Sequence, residues 1–348
     1  MSKKWPGGII TPVPATPTGP YENGTAPGIW TLSQQSYWQK QGLWPIAGNT
    51  PPSWAVWAGQ TTNSGGTANL AMSYANLNTA SNWSYWGDLN VARTLGGVGL
   101  SSTTRGVVAG GYVGGGTPYT SNIAYFSLAS TGNASTFGLL STTTGTSNGV
   151  AGVSSSTRGV IMGGSDYATN RTSNMSYITT ATTGNSTFFG YLTQQVDNIN
   201  QGGSSGTRGV IAGGYGDTTG TSSRIEYITI ATTGNATNFG NLTSARFIPA
   251  GVSSSTRAIW AGGSSTSTID YVTIATTGNA SSFGTLTFNA GDSSGINNGL
   301  IGCVAYSSGI STNYITMATL GNGTTFGNLT LSSNGSMLAG CCGSQGGL

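Results

Sequence analysis

The chain has 348 residues, of which only 5% are charged and none is histidine, and its 11 basic and 8 acidic side chains leave a formal charge of +3. Ordinary soluble proteins carry about 25% charged residues, and here neither Lys nor Arg clusters along the chain, so nucleic acid is discounted as a partner. Without histidine the commonest general base and the commonest metal ligand are gone, and no cofactor or metal is expected. Cys303, Cys341 and Cys342 are too few for a disulfide framework and read as buried free thiols.

Residues 1–27 are rich in Pro, Gly and Thr and read as an extended or mobile arm. Prolines break the apolar run, so the start is expected to be neither a signal peptide nor a membrane span. The next stretch, GIWTLSQQSYWQKQGLWP, differs in kind. Thr31 and Gln34 fit a capping box, Trp30, Gln34, Tyr37, Trp38 and Gln41 recur at helical spacing, and Gly42 with Pro45 supplies a stop. A helix of about ten residues cannot bury several large rings by itself. Trp30, Tyr37, Trp38 and Trp44 must therefore dock, either on the rest of this chain or on another protein.

From residue 51 onward the chain repeats. Six times a tyrosine is followed twelve residues later by an aromatic and a glycine: Tyr74/Trp86, Tyr125/Phe137, Tyr177/Phe189, Tyr227/Phe239, Tyr271/Phe283 and Tyr314/Phe326. A leucine follows three residues after each second aromatic, and successive tyrosines are 51, 52, 50, 44 and 43 residues apart. That is the period of a four-stranded blade rather than of a short solenoid coil. Disorder has no reason to keep such spacing, despite the 58 glycines.

The fourth repeat shows the blade. TRGVIAGG is its second strand, with paired glycines at a tight exit, and IEYITIAT its third, alternating β-branched and aromatic residues. Thr-Gly-Asn makes a turn, and the fourth strand carries Phe239 and Leu242. A hairpin of fixed length between third and fourth strands explains the constant interval and assigns both rings to core packing. Triplets such as Asn133-Ala-Ser and Asn235-Ala-Thr match glycan acceptors but, without an export signal, read as composition.

The ends frame the topology. The first repeat enters at SWAVWAGQ, a second strand with no first strand before it, and the chain finishes with a surplus first strand near residues 336–342. Pairing the two closes a circle and removes both sheet edges. The expectation is an all-β, six-bladed β-propeller over residues 51–348, preceded by an attachment segment of residues 1–50.

Chemistry is harder to place. Glu226 and Asp270 stand just before their tyrosines, where adjacent blades might supply two carboxyls to a glycosidic bond, but the strands do not aim them at one cleft. Solvated or backbone-bonded carboxylates are the simpler reading. Arg105, Arg158, Arg208 and Arg257 each open a second strand, with Trp54 and Asn298 at the matching places. They hold either an anionic group on one rim or the carbonyls of a neighbouring blade. Loops between second and third strands vary most, and contain Tyr112, Tyr119, Asp166, Tyr167, Arg171, Tyr215, Asp217 and Arg224. Variable loops on a rigid scaffold are where binding normally resides.

The Gly-Gly exit, the following tyrosine, the fourth-strand aromatic and the Ala92-Arg93 and Ala245-Arg246 pairs resemble Kelch-type repeats. Phenylalanine replaces the usual tryptophan in five blades, and Ala305-Tyr306 stands in the sixth where Gly-Gly is expected. TRGVIAGG and YITIATTGNATNFGNLTSAR, with the upstream GIWTLSQQSYWQKQGLWP, resemble repeats of virion-associated proteins of tailed phages, especially marine phages and cyanophages. The resemblance implies a non-enzymatic virion structural protein of fibre, tail or capsid surface, assembled in the host bacterial cytoplasm. Its partners would be other virion proteins through the N-terminal segment, with a host-surface protein or glycan, or further copies of itself, as secondary partners. The rivals are a polysaccharide-acting propeller enzyme and a stand-alone glycan-binding module.

Overall fold

The structure, a computed structural model, describes residues 31–41, 54–59, 69–93, 97–113, 119–141, 149–165, 170–216, 219–306, 309–329 and 339–343. They fall in two units divided after Pro52. The first holds a nine-residue helix, Leu32–Lys40. Its start is a capping box: the Gln34 amide donates to Thr31 Oγ1 (3.2 Å) and the Thr31 amide to Gln34 Oε1 (2.9 Å), pairing two donors that helix geometry leaves open.

The second unit is a ring of six four-stranded antiparallel sheets, a six-bladed β-propeller. Each is a meander, as in the fifth blade, with strands Ala250–Ser253, Arg257–Ala261, Thr266–Thr273 and Ser281–Ala290. First strands of neighbouring blades touch in cyclic order, so they line the axis. The first blade borrows its inner strand from the C-terminus: Ala339–Cys342 pairs with Trp54–Ala58, and Asn69–Asn76 and Ser84–Arg93 follow. The expected closure is present, with a strand that begins at Ala339.

Each hairpin of third and fourth strands carries a β-bulge just before its tyrosine, at Ser73, Ala124, Ser176, Glu226, Asp270 and Asn313. The extra residue lies on the fourth strand and is the repeated aromatic itself, as Phe239 is between Asn238, opposite Glu226, and Gly240, opposite Ile225, and it bends that strand. The tyrosine then meets the aromatic twelve residues on edge to face, with centroids 5.1 to 6.4 Å apart. All six fourth-strand rings are buried, which makes them the repeated core between stacked blades.

The Thr-Gly-Asn turn does more than reverse the chain. The Gly184 amide donates to Phe137 O of the preceding blade (2.9 Å), and Asn185 Oδ1 accepts the Leu139 amide (2.9 Å). Asn133, Asn185, Asn235, Asn279 and Asn322 repeat that bond around the ring, and Asn82 makes it across the closing joint to Asn328. Glycine must follow each fourth-strand aromatic because the next blade's turn occupies the space of a Cβ, as at Gly138 against Gly184. The asparagines of the apparent glycan triplets are therefore joints between blades, and they cover outer strand edges that would otherwise be open.

The axis is packed. Gly99, Gly251, Gly295 and Gly340 on inner strands leave no room for a Cβ against neighbouring backbone. Two residues beyond these four, and beyond Gly152 and Gly202 at the matching places of the other two blades, Ser101, Ser154, Ser204, Ser253, Asn297 and Cys342 are all buried. Amides of Ser101, Ser204 and Cys342 donate to the hydroxyls of Ser154, Ser253 and Ser101, each at 3.0 Å. Asn200 and Gln201 of the fourth blade, 3% and 2% exposed, reach across the axis. Gln201 Nε2 donates to Gly99 O of the second blade (2.9 Å), and Asn200 Nδ2 to Ser293 O of the sixth. The three cysteines are buried thiols outside any disulfide, as expected, and burial pushes the Cys303 and Cys341 thiols up to about 12.

Candidate functional site

A meander places the loops from second to third strand and from blade to blade at one end of the ring, and the remaining turns at the other. The variable loop end gathers part of the expected set. Asp197, in the connection between third and fourth blades, bridges to Tyr215 and accepts a 2.9 Å bond from Arg171 Nε. The Arg171 guanidinium lies 4.8 Å over the Tyr215 ring, a cation–π contact. Arg171 and Tyr215, from different blades, are thus united by a carboxylate not counted among the loop candidates. Tyr215 keeps 39% of its surface exposed. Tyr112 and Tyr119 also meet, as a bridge with ring centroids 5.4 Å apart. Asp166, Tyr167 and Asp217 lie outside the described residues.

Arg224, the last described loop candidate, donates from Nη1 to Thr193 Oγ1 (3.0 Å), and its Nε is 3.9 Å from Glu226 Oε1. A small pocket opens here among Val196, Ile211, Arg224 and Glu226. One blade on, the place of Val196 is taken by Arg246, fully buried, with Nη2 2.9 Å from Asp270 Oδ2 and 3.2 Å from Trp260 O. The pocket is the space that a buried arginine fills in the next joint. Arg93 fills the joint after the first blade with no carboxylate at all, held by Gly110 O and by Asn122 O and Oδ1, and burial lowers it to about 10.

Glu226 and Asp270 do not form a catalytic pair of open carboxylates. They are 4% and 0% exposed and accept backbone amides, so of the two simpler readings the backbone-bonded one holds and the solvated one does not. Glu226 accepts the Thr193 amide (3.0 Å) and hydroxyl, and Asp270 accepts the Thr243 amide (3.1 Å) and hydroxyl (2.7 Å). Each threonine belongs to the preceding blade. These positions face the joint, and Asn313 accepts the Thr287 amide there in the same way, at 3.0 Å.

At the turn end, Arg105, Arg158, Arg208 and Arg257 adopt one arrangement. Each guanidinium covers the tyrosine of its own blade at 4.3 to 5.2 Å. Each Nη1 also bonds two carbonyls of the next blade, as Arg208 does to Ile274 and Ala275 at 2.9 Å. Of the two roles read for them, the tie between blades is realised. Asn298 joins Asn78 at the matching place in the closing joint (3.0 Å).

On the helix of the first unit, Tyr37 is 55% exposed and meets Trp38 edge to face at 5.0 Å. Trp30 and Trp44 lie outside the described residues. Among the described residues no group of three or more His, Cys, Asp or Glu is placed to hold a metal ion, and no helix is long and apolar enough to cross a membrane.

The chain is a six-bladed β-propeller whose repeated polar side chains serve its joints. No known protein family matches the chain, and no curated protein sequence matches it.

Proposed function

We propose that this chain is a non-enzymatic structural protein of a phage particle, part of a fibre, tail or capsid surface, in which the ring is displayed and residues 1–50 attach it to other virion proteins. The supporting observation is the capped helix with Tyr37 exposed. Nine residues are too few for a helix to persist alone in water, and an exposed aromatic on such a helix gains most when a partner buries it. The wording of the repeats, which resembles virion-associated phage proteins, supports the same reading.

Display is supported by how the ring spends its polar groups. Asn200 and Gln201 close the axis, and the repeated carboxylates are used between blades. Contact with a host-surface protein or glycan then falls to the loop end, where Arg171, Tyr215, Tyr112 and Tyr119 are held by mutual packing and lose little freedom on binding. Hydrolysis of a polysaccharide would need two convergent acids, which Glu226 and Asp270 do not provide.

Particles assembled with a chain lacking residues 1–50 test the attachment. The truncated ring should keep its β-sheet circular dichroism and be missing from purified particles. Incorporation at the full level would sink the anchor assignment.

A further inference from the structure

The four arginines of the turn end are only half used by the joints. Both Nη1 hydrogens of each go to carbonyls, while Nε and Nη2 have no partner among the described residues. That unused edge is the side of a guanidinium that takes a carboxylate through two parallel bonds. Neighbouring carbonyls and the tyrosine ring already fix each side chain, so little rotamer entropy remains to be lost.

Charge segregation points the same way. The turns between first and second strands, such as SSST before Arg158 and before Arg257, contain no acidic residue, and neither do the turns between third and fourth strands. Of the described carboxylates, Asp197, Glu226 and Asp270 are engaged at the loop end, and Asp88, whose amide meets Asn133 in the joint between the first and second blades, stands beside one end of the row. Arginines dispersed in the sequence thus form an arc across four consecutive blades whose own turns carry no acidic residue.

We infer that this arc binds an acidic polysaccharide, one guanidinium to each of several carboxylates along the polymer. Nucleic acid fits less well: the arc has four cations and no lysine, too few to gather a polyphosphate backbone. The surrounding Ser and Thr hydroxyls suit sugar hydroxyls. The inference stands on the ring alone and does not depend on a place in a particle.

The test uses the full chain and polygalacturonate, with neutral dextran and single-stranded DNA as the other arms. Polygalacturonate should bind and dextran should not, and binding should weaken as salt screens the charges. Arg158→Gln with Arg208→Gln should reduce affinity at least tenfold, but also loosens two joints. Ser156→Glu with Ser255→Glu, at exposed positions beside Arg158 and Arg257, leaves the ties intact and should reduce affinity about as much with an unchanged melting temperature. Undiminished binding by the second variant, or DNA bound as tightly as polygalacturonate, would overturn the inference.

Discussion

Deleting residues 334–348 will leave a chain that does not hold its ring at physiological temperature. The deletion removes the strand Ala339–Cys342, whose four residues pair with Trp54–Ala58 as the inner strand of the first blade. Cys341 packs among Val108 and Phe126 of the second blade, and Cys342 among Ile296 and Cys303 of the sixth. The loss therefore reaches three blades, and it uncovers Trp57, which is 0% exposed. At about 1 kcal/mol per lost hydrogen bond and about 1.5–3 kcal/mol per uncovered large side chain, the cost is on the order of 5–10 kcal/mol. That equals the whole stability of many domains. Calorimetry of the truncated chain should show no native transition, or one shifted far down. An unchanged melting temperature would mean that the ring closes some other way.

The second large effect is expected at the fully buried pair of Arg246 and Asp270, both 0% exposed. Burial lowers the Arg246 pKa from its ordinary value, against the attraction of Asp270. Asp270→Ala strands that cation in the joint and takes the acceptor from the Thr243 amide. Breaking a buried pair in this way costs about 3–5 kcal/mol, or roughly 10 °C in melting temperature for a unit of this size. Arg246→Met combined with Asp270→Ala removes both charges and should recover at least half of the loss. Glu226→Ala should cost less, about 1–2 kcal/mol, because the Glu226 cation, Arg224, sits half in solvent at 3.9 Å. If Asp270→Ala and the double variant melt together, the ion pair is not what holds the joint.

These two sites show how far the sequence could be read. The Tyr-to-aromatic interval was enough to set blade number and hairpin length, because a fixed local spacing encodes a fixed local geometry. The frayed repeats at the ends gave the closure, and Thr31 with Gln34 gave the helix start. Thr-Gly-Asn was legible as a turn, but not as a clasp on the previous blade. Its partners, such as Leu139 and Asn185, are 46 residues apart, and nothing local reports the meeting.

The same limit hid the axis. Gln201 reaches Gly99 across 102 residues, and Asn200 and Gln201 have no counterpart in other repeats. A signal was present, however: the first strands read VGLS, AGVS, QGGS and AGVS in the second to fifth blades, and that register would have predicted a ring of small hydroxyls. Glu226 and Asp270 were placed correctly before the tyrosine, yet their partners Thr193 and Thr243 belong to the preceding blade, 33 and 27 residues away, and no local pattern announced that meeting. Asp197 was one carboxylate among eight until the fold set it between Arg171 and Tyr215.

The proposed role is that of a ring displayed at the surface of a particle and held there by its first 50 residues. A cryo-EM map of the intact particle that carries this chain tests that claim most directly. The account predicts density for a six-bladed ring at the particle surface, joined to its neighbours through the segment containing Tyr37 and Trp38. A map that places the ring inside the particle, or joins it to its neighbours without residues 1–50, would contradict it.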